Sequence, residues 1–343
     1  MPGPEPSRPE PNRLEPSRPG AEALAAPSAA APLPVVIDCD PGVDDAVALL
    51  LALRSPELRV LAVTTVAGNA GLDVVTANAA AVLDLAGAPA ELALAAGAAG
   101  PLRGGERVPD EPIHGANALG GVPLPASARV PAGEPAPELI ARLVLARPGE
   151  LVLIALGPLT NVARLVTEHP AAAAALRAIV HMGGAAFAQG NITPAAEFNT
   201  YCDPEAADVV LGSGLPIRLV PLDVTRRTGL RREHSARLAA APDPATSAIG
   251  AMLLGMTEAN VARSGAAVCH VHDATAVAAL LAPELFRWQR AGVRVECAGQ
   301  LTRGALVVDA RGRTDWPATV DIALDLREDA VERLLLARLE ATP

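Results

Sequence analysis

The sequence predicts a single-domain α/β fold with an open, mainly parallel sheet flanked by helices. Three observations carry that prediction. Short β-branched runs alternate with Ala/Leu-rich helical stretches along residues 34–343. Half of the 343 residues are apolar, so one sizeable core is available. The unusual polar residues fall directly after predicted strands, at the end of an open sheet where ligands gather.

Residues 1–33 form a Pro-, Glu-, Arg- and Ala-rich tail with two similar units, EPSRPE and EPSRPG, and almost no large apolar side chains. That composition predicts disorder, and no apolar run in it has the length of a signal peptide. The domain begins at residue 34. Val35, Val36 and Ile37 read as a buried strand, Pro41-Gly42 as a turn, and residues 43–53 as a helix with Asp44 and Asp45 in its first turn. Further strands are expected at residues 60–66, 151–156, 178–182 and 217–220, and helices at 73–86, 136–146, 203–211, 245–261 and 273–281. In the helix over 245–261, Ile249, Leu253 and Met256 follow the spacing of a core-facing stripe. Residues 293–324 read as more strands with a turn at Arg311-Gly312-Arg313, and 329–339 as a closing helix.

Composition excludes several functions. A net charge of −10 and the lack of a Lys/Arg cluster interleaved with aromatics argue against a nucleic-acid partner. Gly, Pro and charged residues interrupt every apolar stretch before it reaches transmembrane length, so no membrane partner is expected. Cys39, Cys202, Cys269 and Cys297 form no CxxC pair, which suggests reduced thiols in a cytoplasmic protein. Cys39 is expected to face away from its acidic neighbours, because strand side chains alternate.

The segment VVIDCDPGVDDAVALLLAL holds four aspartates within eight positions, between the first strand and the first helix. The helix dipole favours Asp44 and Asp45, but Asp38 and Asp40 at the strand end need another counter-charge. A hard divalent cation would supply it, with the Pro-Gly turn folding Asp40 and Asp45 toward one point. The plainer reading is a helix cap plus solvated charges.

The run DCDPGVDDA resembles the N-terminal signature of the inosine-uridine nucleoside hydrolase family. TTVAGN, HGANALGG, ALGPLTNVA, VHMGGA, GNITPAAEFNTYCDPEAA, PLDVT and HVHDATAVA resemble the family's further blocks in the same order. The resemblance implies a Rossmann-like nucleoside hydrolase fold, hydrolysis of ribonucleosides to ribose and free nucleobase, and bound Ca²⁺. Asp40, Asp45, Asp273 and the backbone carbonyl of Leu156 resemble the metal ligands, and Asp40 would also be the general base. Asp38 would orient those ligands from behind. Asp44, Asn69, Asn191, Glu197 and Asn199 carry over as ribose contacts. His272, directly before Asp273, is the candidate acid for the departing base, with His114 as the nearby partner contacting that base. His270 either substitutes for His272 or flanks it. Met182, Phe187 and Phe198 either line the pocket or pack in the core. By resemblance the protein is a homodimer or homotetramer.

The chain departs from its resemblance in ways that bear on specificity. It has one Tyr, two Trp and three Phe, none of them in residues 257–268, and Gly115 follows His114 where the purine-specific subclass has Trp. Strong stacking on purines is therefore not expected, which favours pyrimidine-preferring or broad specificity. Ala118 stands where a Gly is usual. Arg226 and Arg227 either approach the base or form a solvated face. Two other readings compete. An Mg²⁺-dependent phosphohydrolase of the aspartate-nucleophile type needs Ser or Thr after its Asp pair and a Lys downstream, yet this chain has Pro-Gly-Val there and no Lys. A non-catalytic nucleoside- or ribose-binding protein would not need Asp40, Asp45, His272 and Asp273 intact.

Overall fold

The computed structural model describes residues 24–105, 107–108, 115, 117–265 and 267–341. Its first half runs β1 (Leu33–Cys39), α1 (Val43–Leu53), β2 (Leu58–Thr65), α2 (Leu72–Leu85), β3 (Ala93–Ala96), α3 (Ala136–Leu145), β4 (Val152–Ala155), α4 (Thr160–Glu168), α5 (Pro170–Ala174) and β5 (Ala178–Met182). Next come α6 (Phe198–Cys202), α7 (Pro204–Leu211), β6 (Ile217–Val220), α8 (Leu222–Thr225), β7 (Gly229–Arg231), α9 (Arg232–Ala239) and α10 (Pro244–Ser264). The chain closes with β8 (Val268–His270), α11 (His272–Leu281), β9 (Phe286–Val295), β10 (Leu306–Asp309), β11 (Val320–Leu326) and α12 (Glu328–Leu339).

Nine strands form one sheet in the order β10-β9-β11-β6-β5-β4-β1-β2-β3. The seven from β11 to β3 are parallel, and β9 near the far edge runs antiparallel to both its neighbours, β11 and β10. The chain builds outward from β1 to β3, then returns to the other side of β1 as β4. This reversal opens a crevice at the carboxyl ends of β1 and β4, the place where doubly wound folds bind ligands. The expected mainly parallel, Rossmann-like single domain is therefore present, with an antiparallel edge.

Helices cover both faces. On β1, Val35, Ile37 and Cys39 face a core shared with α1 and α11, while Val36 faces a second core containing Leu139, Ile140, Leu153 and Val162. Strands β4, β5 and β6 are buried along their whole length, as central parallel strands are. Helix α1 is buried from Val43 to Ala52 and so apolar nearly all round, because it lies under other helices rather than under water. Among the described residues, no helix is long and apolar enough to cross a membrane.

Local chemistry explains most element boundaries. The first strand starts at Leu33, and upstream of it Leu24 packs on the core while its carbonyl accepts a bond from Arg218. Residues 1–23 of the expected tail lie outside the described residues. Ala118 has φ of 60°, a left-handed backbone that costs a non-glycine residue about 1–2 kcal/mol. Asn117 holds it there, its Oδ1 accepting from the N–H groups of Leu119 and Gly121 and its Nδ2 donating to the Val122 carbonyl.

His181 on β5 is wholly buried, with Nδ1 3.0 Å from the Ala155 carbonyl and Nε2 without a hydrogen-bond partner among the described residues. Burial depresses its pKa from 6.5 to about 4. A histidine that stays neutral in the fold but protonates when unfolded costs stability as pH falls from 6.5 towards 4. Over that window the cost reaches about 3 kcal/mol at 1.36 kcal/mol per pKa unit. Urea denaturation between pH 7 and 4 should show this loss in the native protein and a flatter profile in His181→Gln. Equal slopes for the two would show that His181 is not the acid-sensitive group.

Candidate active site

Asp40 leaves β1 into the Pro41-Gly42 turn, and Asp45, in the first turn of α1, reaches back over it. Asp45 Oδ1 accepts from the Asp40 N–H at 3.1 Å and Oδ2 from the Gly42 N–H at 2.9 Å. Asn69, beyond the end of β2, clamps both acids. Its N–H donates to Asp40 Oδ2 at 2.7 Å, and its Nδ2 to the Asp40 carbonyl and to Asp45 Oδ2, each at 3.1 Å. Two glycines enclose the Asp40 carboxylate: a Cβ on Gly68 would stand 2.1 Å from Oδ2 and one on Gly157 2.6 Å from Oδ1.

Asp273 completes the acidic centre from the first turn of α11. Oxygens of Asp44, Asp45 and Asp273 lie within 4.8 Å of one another. Burial, then the charge of Asp45, holds the Asp40 carboxyl well above the usual range. Burial also raises Asp273, reinforced by Asp44, Asp45 and Asp40. Asp44 is raised to about 6 by burial, opposed by bonds from the backbone N–H groups of Asp44, Asp45 and Asp273. These N–H groups belong to the first turns of α1 and α11, so two helix N-termini meet at this centre. Every donor in it is a hard oxygen, buried and short of positive charge, and the cluster could therefore hold a metal ion such as Ca²⁺ or Mg²⁺.

Asp38 sits behind the centre and does not line the cleft. Its Oδ1 accepts from Thr64 Oγ1 at 2.6 Å and Asn161 Nδ2 at 2.8 Å, while its backbone carbonyl takes the Leu156 N–H. Burial lifts its pKa to about 6 against those two side-chain bonds. Cys39 points to the opposite face of β1, as alternation requires, and its Sγ donates to the Thr64 carbonyl.

The cleft has a volume of about 570 Å³, within the usual range for small-molecule sites. Asp40, Asp44, Asn69, Leu156 and Asp273 form its floor. One wall comes from the segment leading into α6, with Asn191, Ile192, Glu197, Phe198 and Asn199, and from Met182 at the end of β5. Glu197 caps α6 and accepts the N–H groups of Asn199, Thr200 and Gly184. Asn199 Nδ2 donates to the carbonyls of Leu156 at 2.6 Å and Met182 at 3.1 Å, and Asn191 Oδ1 accepts the Phe198 N–H. The opposite wall carries His270, His272, Arg226, Met256 and Asn260. His272 Nδ1 lies 2.8 Å from Thr225 Oγ1, and its ring is 5.7 Å from that of His270.

The structure thus gathers eleven of the expected site residues around one cavity: Asp40, Asp44, Asn69, Leu156, Met182, Asn191, Glu197, Phe198, Asn199, His272 and Asp273. Asp45 lies just beneath the floor, and His114 lies outside the described residues. Three expectations change. Phe187 is 60% exposed and not part of the cavity, because Asp223 turns its loop outward by accepting the Ala186 and Phe187 N–H groups. The arginine pair divides: Arg226 lines the cleft, whereas Arg227 bonds Asp325 and Glu328. Met256 packs in the core as expected but also lines the cleft. Ile192 and Asn260 were not foreseen. Asn260 falls four residues after Met256, so a polar side chain on the apolar stripe of α10 was the available signal.

Known proteins share both sequence and fold. The pyrimidine-specific ribonucleoside hydrolase RihA of Shewanella sp. strain MR-7 is 40% identical over 313 residues, covering 90% of this chain and 97% of that protein. The solved plant nucleoside hydrolase PpNRh1 superposes with a TM-score of 0.86 at 33% identity, over 91% of this chain and 100% of that one. The purine-preferring ribonucleoside hydrolase from Gardnerella vaginalis gives 0.84 at 29% identity, over 90% and 98%. Fold and cleft therefore define an enzyme of the nucleoside hydrolase class. The chain belongs to the inosine-uridine preferring nucleoside hydrolase family, whose profile matches residues 35–333.

The glycine enclosure gives a sharp test. Gly68→Ala places a methyl on the Asp40 carboxylate, and a displacement of about 1 Å at a reacting group costs about 10²-fold in rate. Turnover should fall by that order with the circular dichroism spectrum unchanged. Near-native turnover would mean that the position of Asp40 does not matter.

Proposed function

We propose that this enzyme hydrolyses the N-glycosidic bond of ribonucleosides to ribose and free nucleobase, with pyrimidine-preferring or broad specificity, and that its metal is Ca²⁺. The observation that carries this reading is the meeting, in one cleft, of the buried oxygen cluster, a wall of amides and a carboxylate suited to a polyol, and His272 across from them. Asp40, Asp45, Asp273 and the Leu156 carbonyl would hold the ion. An ion held by these residues would offset the carboxylate charge and supply Lewis acidity for activating water.

The remaining chemistry belongs to the chain. Asp40, held between Gly68 and Gly157, takes the proton of the attacking water as general base. Asp44, Asn69, Asn191, Glu197 and Asn199 orient the ribose, and the nearby carboxylates favour the oxocarbenium-like transition state. With Nδ1 engaged by Thr225, His272 presents Nε2 to protonate the leaving base, with His114 as its partner. Phe198 is the only Phe, Tyr or Trp among the described cavity residues, which supports weak purine stacking and a pyrimidine or broad preference. The same reading takes the enzyme to be a cytoplasmic homodimer or homotetramer of nucleoside salvage, and its four free cysteines suit a reducing compartment.

Two measurements test it. Ribose released from uridine, cytidine, inosine and adenosine should vanish on chelation and return on adding Ca²⁺, with uridine or cytidine turned over at least as well as inosine. Activity indifferent to chelation would overturn the metal assignment, and a strong inosine preference would overturn the base assignment. Asp40→Asn should lower kcat by 10²-fold or more, the scale of general-base catalysis, while the protein stays folded.

A further inference from the structure

The other end of the sheet carries a second polar cavity, at the amino ends of β5, β6 and β11. Its volume is about 190 Å³, and Arg177, Arg218, Arg290, Thr319 and Asp321 supply its polar lining. Arg218 is only 6% exposed and is pinned on two sides. Its Nη2 donates to the Leu24 carbonyl, and its guanidinium carbon lies 5.2 Å from the Trp288 ring centroid. Arg290 is held by Asp321 through two bonds of 2.8 and 2.7 Å.

Two buried polar atoms in this lining lack hydrogen-bond partners among the described residues: Arg218 Nη1 and Thr319 Oγ1. Buried donors are ordinarily paired, and a guanidinium most of all. Three guanidinium groups line the cavity against one carboxylate, so its lining is net positive. Burial also lowers the Arg218 pKa to about 10, with Asp321 raising it and Arg177 lowering it.

From this convergence we propose that the cavity is a binding site for a small tetrahedral oxyanion of the phosphate type. Arg218 Nη1 and Thr319 Oγ1 donate to it, and Arg177 and Arg290 balance its charge. Planar guanidinium groups suit the oxygens of such an anion. The volume is smaller than that of nucleotide-sized pockets, which restricts the ligand to a compact anion. The site is remote from the crevice between β1 and β4 and does not depend on the proposed specificity there.

Sulfate serves as probe, because it shares the tetrahedral geometry and spares bound Ca²⁺. Calorimetric titration of the full-length protein with sodium sulfate, against sodium chloride of equal ionic strength, should show one saturable site, and sulfate should raise Tm in step. Arg218→Met and Thr319→Val should each weaken binding at least tenfold and threefold respectively, with ribose release from uridine unchanged. If Arg218→Met fails to fold, Arg177→Ala with Thr319→Val reads the same contacts. No saturable binding beyond chloride, or unaltered affinity in the folded variants, would overturn the proposal.

Discussion

Mutual repulsion among Asp40, Asp44, Asp45 and Asp273 is the constraint around which the cleft is built. Two ionised carboxylates about 4 Å apart repel by roughly 4 kcal/mol at the effective dielectric of a protein site. The first turns of α1 and α11 offset part of this, yet a helix terminus contributes about 0.3–1 kcal/mol and at most about 2. The helix termini therefore cannot neutralise the cluster alone. Burial and then a neighbouring aspartate raise the Asp40 and Asp273 carboxyls, while burial raises Asp44 against bonds from backbone N–H groups, so ionising all of them together calls for positive charge from outside the chain.

Sheet topology explains why such a costly centre can persist. Asp40 and Asp45 hang from β1 and α1, Asn69 follows β2, the Leu156 carbonyl follows β4, and Asp273 opens α11, which packs against α1. Each is anchored to an element with a deeply buried apolar face. Local rearrangement to relieve the repulsion would have to disturb β1, whose neighbours β2 and β4 pair with it along its length. Gly68 and Gly157 add the finer constraint: by leaving no space beside Asp40, they fix where its oxygens lie.

Legibility in the sequence followed how local the determinants were. The first helix and the strands β5 and β6 were readable to the residue, because an apolar run bounded by turn or acidic residues defines each one. Strand β3 is Ala-Leu-Ala-Ala, which has little β-propensity and forms because β2 pairs with it. The three-residue strands β7 and β8 pair with each other across about forty residues of chain, an event invisible in either segment. The cleft was largely legible because its acids and amides stand at strand ends. Asn260 was not, since it rides on a helix whose other marked positions are core. The arginine cavity was equally hidden, because sheet register alone brings residues 177, 218, 290 and 319 together.

The two ends of the cleft are built differently, and this bears on how specificity arises. At the end formed by Asn69, Glu197 and Asn199, side chains are fixed by bonds to backbone: Asn69 to Asp40, Glu197 to three N–H groups, Asn199 to the carbonyls of Leu156 and Met182. Altering any of them disturbs the framework as well as the pocket, so this end is costly to change. At the other end, Arg226 follows the short α8, His270 ends the short β8, and Met256 and Asn260 project from α10. Their polar side chains also bond backbone, Arg226 to the Gly190 carbonyl, His270 to that of Thr228 and Asn260 to that of Val268, but none of these carbonyls lies on the nine-stranded sheet. A fold that ties one wall of its cleft to the central sheet while leaving the other on peripheral elements can vary the second wall and keep the first. A pyrimidine-specific relative in sequence and a purine-preferring neighbour in structure show that likeness of sequence and fold does not by itself fix the base.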